Sequence, residues 1–235
     1  MSKTPRKPAA TTGRAAGKAP AQAIVQPLSP ERIVSAALAL VAQETLSGLS
    51  TRKLGERLGC EAMSIYHHFP SKQHLLDALV DYAISSIEFP SKDMAPAERL
   101  RAAMFAFRDM AHRFPALFPL VAVHRLNTPT GVSFIESILD IVAAVVRDRE
   151  LAARHFRTIG YYLTGAALDE TSGYAKGPSA AVPVGNDYIA ANCPKLMASA
   201  EFFQRPHWDR TFEMGVETLV QAAIRDGERT SARRG

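Results

Sequence analysis

Residues 49–79 read LSTRKLGERLGCEAMSIYHHFPSKQHLLDAL and hold three short helical patterns separated by turn signals. Ser50 is an N-cap residue for a helix running to Leu58, in which Leu54 and Leu58 lie four apart on one face. Gly59 supplies the break after it. A second helix over 62–68 puts Ile65 and Phe69 on its inner side and leaves Ala62, Met63, Ser64, Tyr66, His67 and His68 available outside. Pro70 ends this helix and Ser71 caps the next. There Leu75, Leu76, Leu79, Val80, Ala83, Ile84 and Ile87 form a stripe wide enough to contact two neighbours.

Toward the N-terminus, Ser29, Pro30 and Glu31 combine an N-cap, a first-turn proline and an acid that suits the helix dipole. A helix is expected from there to about Glu44, with Ile33, Ala36, Ala37, Leu40 and Val41 as its buried stripe, before Ser47 and Gly48 break the chain. Residues 1–28 are rich in Ala, Pro, Thr and Gly, cannot offset their ordering entropy, and are expected to be a disordered basic tail. The TGRAAGKA stretch in it is one residue short of a phosphate-binding loop, with Ala19 where a hydroxyl is required.

Toward the C-terminus, helix follows helix: 95–113, 116–125, 132–150, 151 to about 171, 194–203 and 207 to about 226. The Gly, Pro and Ser-rich stretch from Gly173 to Asp187 reads as a loop, and no alternating strand pattern occurs. The fold class expected is all-α. The segments expected are a tail (1–28), a unit of short helices (29–75) with a linking helix (71–88), a C-terminal helical domain (89–228), and a flexible end (229–235).

Of the 235 residues, 28 are Lys or Arg and 23 are Asp or Glu. Lys3, Arg6, Lys7, Arg14 and Lys18 all precede residue 29, where no acid occurs, so the body is neutral at 23 against 23. The two cysteines, Cys60 and Cys193, are far apart and outside any metal-ligand spacing, which fits a reducing cytoplasm. No run approaches the roughly 18–20 apolar residues of a membrane helix, and the basic start lacks the apolar block of a secretory signal. His67 and His68 are adjacent and diverge by about 100° on a helix, so they form no metal pair. No metal and no cofactor are expected.

The run 49–59, followed by 63–72 and 75–79, resembles the DNA-binding domain of the tetracycline-repressor (TetR/AcrR) family of transcriptional regulators. Residues 212–220, FEMGVETLV, are similar to the last helix in that family's tetracycline-repressor branch. A helix-turn-helix braces one helix on the DNA backbone and lays a second in the major groove, where its N-terminal residues reach base edges. Ala62, Met63 and Ser64 then face bases, Met63 suiting a thymine methyl. The resemblance puts a base-contacting arginine at Arg52, whose guanidinium matches guanine O6 and N7. Thr51, Tyr66 and His67 would donate to phosphates and Lys72 sits at a helix N-terminus that favours an anion, contacts that position without specifying, and His68 completes the DNA-binding set.

About 130 residues follow, a surplus that suggests a sensor for a small-molecule effector. Met104, Phe107, Phe118, His124, Phe134, Tyr161, Tyr162, Phe203 and Trp208 are the candidate pocket residues. The resemblance further implies a homodimer in which the helix from Leu151 and the last helix pair with their symmetry mates, through Gly160, Leu163, Ala167, Phe212, Gly215 and Leu219. Its recognition helices would sit about 34–36 Å apart on a palindromic operator. An effector preferring another separation would release DNA, with the 71–88 helix as the lever and a coupling of about 1–3 kcal/mol. Asp169 and Glu170 lack the nucleophile, base and orienting group of an enzyme. A ligand-free architectural DNA binder stays open: a filled core would favour it and an enclosed cavity would oppose it. The basic tail reads as either a solvated leader or a source of salt-sensitive phosphate contacts.

Overall fold

A computed structural model of the chain describes residues 27–172 and 180–232. The tail expected over 1–28 lies almost wholly outside the described residues, as do 173–179 of the expected loop and the last three residues. The described residues form eleven α-helices and no strand, the all-α class expected. They are α1 (Pro30–Glu44), α2 (Thr51–Leu58), α3 (Ala62–His68), α4 (Lys72–Ser85), α5 (Pro96–Arg113), α6 (Phe118–Val123), α7 (Pro129–Val145), α8 (Arg149–Ser172), α9 (Asn186–Asn192), α10 (Pro194–Ser199) and α11 (Trp208–Ala232).

Three of the first four helices, α1, α2 and α4, start where a serine caps them. Ser29 Oγ accepts from Arg32 N, Ser50 Oγ from Lys53 N (3.3 Å) and Ser71 Oγ from His74 N (3.4 Å). Later boundaries shift. The helix expected at 132–150 begins at Pro129, because Thr128 caps it through Gly131 N (2.9 Å) with proline in the first turn. It ends at Val145, since Asp148 Oδ1 accepts from Glu150 N and Leu151 N and starts α8 afresh. The lever helix ends at Ser85, whereas the reading ran to 88. α9 occupies residues read partly as loop. The last helix continues to Ala232, past the flexible end expected from residue 229.

Two buried clusters organise the bundle. The first joins Ile33, Leu40, Leu54, Ile65, Leu75, Leu79 and Ile84 of α1–α4 to Met110, Phe118 and Val121 of α5 and α6. The second holds Leu100, Met104, Ile141, Val142, Ile159, Phe212, Val216 and Val220 from α5, α7, α8 and α11. Phe107 touches both. The first cluster therefore runs from the N-terminal helices into the C-terminal half without a break. No single helix among the described residues is long and apolar enough to cross a membrane.

Candidate nucleic-acid interface

The α2–α3 corner depends on two glycines. Gly59 caps α2 at φ 68°, a left-handed conformation open to a residue without Cβ, and its N–H bonds the Gly55 carbonyl. Cys60 N–H bonds the same carbonyl at 3.0 Å. At Gly55 an added Cβ would lie 2.7 Å from the Cys60 carbonyl oxygen, so α2 meets the turn backbone directly. Gly55→Ala is expected to cost about 1–3 kcal/mol through this overpacking. Amide exchange should rise across 50–70 first, and a variant with unchanged exchange there would refute the close approach.

Leu54 and Ile65 are fully buried beneath this corner, which turns the remaining side chains outward. Arg52 has 81% of its side chain exposed and lies 3.8 Å from Glu56 one turn on. Met63, at the start of α3, is 63% exposed; Tyr66, His67 and His68 are exposed, and Thr51, Ala62 and Ser64 half-buried beside them. Thr51 Oγ1 and Tyr66 OH approach to 3.5 Å, so the first turn of α2 and the last of α3 form one surface. Lys72 departs from expectation. Its ammonium donates to the Leu49 carbonyl at 3.0 Å, a bond that fastens α4 to the segment entering α2 and leaves only the remaining N–H groups for an anion.

α4 carries Asp77 and Asp81 one turn apart, and both meet the α6–α7 corner. His124 Nε2 lies 2.9 Å from Asp77 Oδ1, which also accepts from Gln73 Nε2 at 2.7 Å. Thr128 Oγ1 donates to Asp81 Oδ1 at 2.6 Å. Sequence reasoning missed this pairing, because 47 residues separate each partner.

The nine candidate pocket residues do not converge. Phe118 and Met104 are buried in different clusters. Phe107 packs edge-to-face on Phe118, Phe134 lies against Phe89, and His124 is held by Asp77. Tyr161 and Phe203 are exposed. Tyr162 and Trp208 line an open groove of about 520 Å³ between α8 and α11, with Phe212, Met214, Gly215 and Glu170. Spacing identified apolar positions but not the neighbours they meet.

The six candidate dimer residues take different places within the chain. Leu163, Ala167 and Phe212 are buried in this chain's own core. Gly215 receives the Tyr162 ring, whose OH donates to the Phe212 carbonyl at 2.8 Å; a Cβ there would collide with that ring. Burial raises the Tyr162 pKa, with the Glu170 charge adding to it, so the phenol stays a donor. Leu219 is half-buried in the groove wall. Of the six, Gly160 alone stands clear, with nothing within 4 Å of an added Cβ.

Behind the groove lies a charged cluster. Arg108 of α5 donates from Nε and Nη2 to the two Glu170 oxygens (2.7 and 3.0 Å) and from Nη1 to Asp209 Oδ1 (2.9 Å). Its guanidinium stacks 4.6 Å from the Phe212 ring centre, and His112 Nε2 lies 2.6 Å from Glu170 Oε2. Burial by itself lowers the Arg108 pKa, but bonds to the two carboxylates outweigh it and the net shift is upward.

The profile of the family described as bacterial regulatory proteins, tetR family, matches residues 33–79. The tetracycline repressor protein class A from transposon 1721 of Escherichia coli is 29% identical over 205 residues, covering 82% of this chain and 89% of that one. The HTH-type transcriptional repressor Rv1353c of Mycobacterium tuberculosis is 28% identical over 223 residues, 88% and 85% of the two chains. The Streptomyces coelicolor TetR family protein ActR, solved in complex with actinorhodin, superposes with a TM-score of 0.67 at 24% identity over 86% of this chain and 99% of that one.

Proposed function

We propose, because this chain belongs to the tetR family of bacterial regulatory proteins, that it is a cytoplasmic homodimeric repressor which binds a palindromic operator through α3 and releases it when a small molecule binds. The observation that carries the reading is the outward surface of α2 and α3. Arg52, Met63, Ser64 and Tyr66 stand on one side of a corner held by Gly55, Gly59, Leu54 and Ile65. Arg52 reads guanine, Met63 packs on a thymine methyl, and Thr51, Tyr66, His67 and His68 contact phosphates. The family is one of regulators, and we assign no catalytic step to the chain.

The dimer forms through the outer faces of α8 and α11. Tyr161 (65% exposed), Met214 (67% exposed), Gly160 and Gly165 lie on these faces beside the α8–α11 groove, and a second copy covers them. Linkage runs through α4, whose two carboxylates follow the α6–α7 corner. An effector would act where it opens the packing around Phe107, between the two clusters. Relatives named tetracycline repressor and a like-folded chain solved with actinorhodin support a small organic effector. The side chains filling the core around Phe118 favour a second reading, a DNA binder that needs no ligand.

Footprinting on DNA upstream of the coding region, at defined salt, tests the reading. Wild type is expected to protect a palindrome, and Arg52→Ala to bind it roughly 5- to 100-fold more weakly with little change in salt slope. If no site is protected across a genomic fragment library, the operator reading fails. Compounds that raise the melting temperature yet leave the footprint intact would favour the ligand-independent reading.

A further inference from the structure

Among the described residues, one acidic side chain on the proposed DNA-facing surface has no partner. Glu61 is the N-cap of α3, with φ −72° and ψ 148°, and its side chain makes no capping hydrogen bond. Its backbone carbonyl accepts from Ser64 N at 3.0 Å, which fixes the residue at the start of the helix. The side chain is exposed, and among the described residues its carboxylate takes part in no hydrogen bond or ion pair. The neighbouring acid, Glu56, is occupied by Arg52. A free carboxylate on a surface that approaches a polyanion weakens binding to every sequence alike, unless a donor in the groove receives it.

Resting on the reading that α3 enters the major groove, we propose that Glu61 reads a cytosine in each operator half-site by accepting a hydrogen bond from its N4 amino group. Residues at the N-terminus of a recognition helix are those that reach base edges. An ionised carboxylate only accepts. The major-groove edges offer donors at cytosine N4 and adenine N6, and acceptors on guanine and thymine. Guanine and thymine are therefore rejected by lone-pair repulsion. Adenine presents N7 beside N6, so the second carboxylate oxygen would face an acceptor. Cytosine presents a C–H beside N4, and is the base that accommodates both oxygens. Glu61 thus acts as much by excluding wrong bases as by holding the right one.

Binding-site selection from a randomised duplex library with the full-length protein tests this, followed by affinities for the selected site and its single base-pair variants. Wild type is expected to select cytosine at one symmetric position of both half-sites and to lose roughly 5- to 100-fold when it is replaced. Glu61→Ala should accept all four bases at that position, and Glu61→Gln should move the choice to adenine through N6 and N7. Glu61 is exposed and makes no side-chain bond, so both variants keep the fold, which melting curves check. A Glu61→Ala variant that selects the same bases with the same discrimination everywhere overturns the inference and leaves the operator reading standing. A wild type that enriches no sequence overturns the operator reading, and this inference with it.

Discussion

Replacing Glu170 by alanine is expected to destabilise the protein by about 3–5 kcal/mol, the cost typical of leaving one half of a buried ion pair without its partner. Arg108 and Glu170 have 9% and 7% of their side chains exposed, and Glu170 takes two of the guanidinium's hydrogen bonds and a third from His112. Without it, Arg108 keeps only Asp209, whose side chain is 91% exposed and competes for water. An arginine does not escape by deprotonating, so the penalty falls on folding. Glu170→Gln retains an acceptor and should cost less. The pair Arg108→Met with Glu170→Leu removes both charges and should recover much of the loss, because well-packed apolar replacements of buried ion pairs are often neutral or better. Denaturant midpoints at constant slope measure all three. A Glu170→Ala midpoint indistinguishable from wild type would mean that water reaches Arg108 freely.

Removing both carboxylates of α4, as Asp77→Ala with Asp81→Ala, is expected to loosen the helix that orients the DNA-binding corner. The helix keeps its packing through Leu75, Leu79, Val80, Ala83 and Ile84, so it stays folded. What it loses is direction: the bonds from His124 and Thr128 set its rotation against the α6–α7 corner, whereas apolar contacts are non-directional. Each bond of this kind contributes about 1.5–3 kcal/mol where one partner is charged. Operator affinity should fall roughly tenfold or more, and sites with half-sites one base pair nearer or farther should be bound almost as well as the preferred spacing. Spin labels on Cys60, in a Cys193→Ser background, report the separation of the two corners in a dimer. Their distance distribution should broaden in the double variant. An unchanged distribution and spacing preference would show that packing alone orients α4.

The helix-turn-helix was legible to the residue because local chemistry determines it. Ser29, Ser50 and Ser71 each cap their own helix within three residues, and Gly59 turns the chain wherever it stands. Fold class followed from helical periodicity and from the family resemblance. The sequence by itself thus determined the elements that bring Arg52, Met63 and Tyr66 to one surface.

The C-terminal half was legible only as helices. A 3.6-residue period marks which side of a helix is apolar but not whether that side meets its own chain, a cavity or a second copy. Leu163, Ala167 and Phe212 read equally well as dimer seam or core, and tertiary packing made them core. Tertiary structure alone joined Asp77 to His124, Asp81 to Thr128 and Arg108 to Glu170, across separations of 47 to 62 residues. Such pairs depend on how whole helices pack, and no local propensity encodes that.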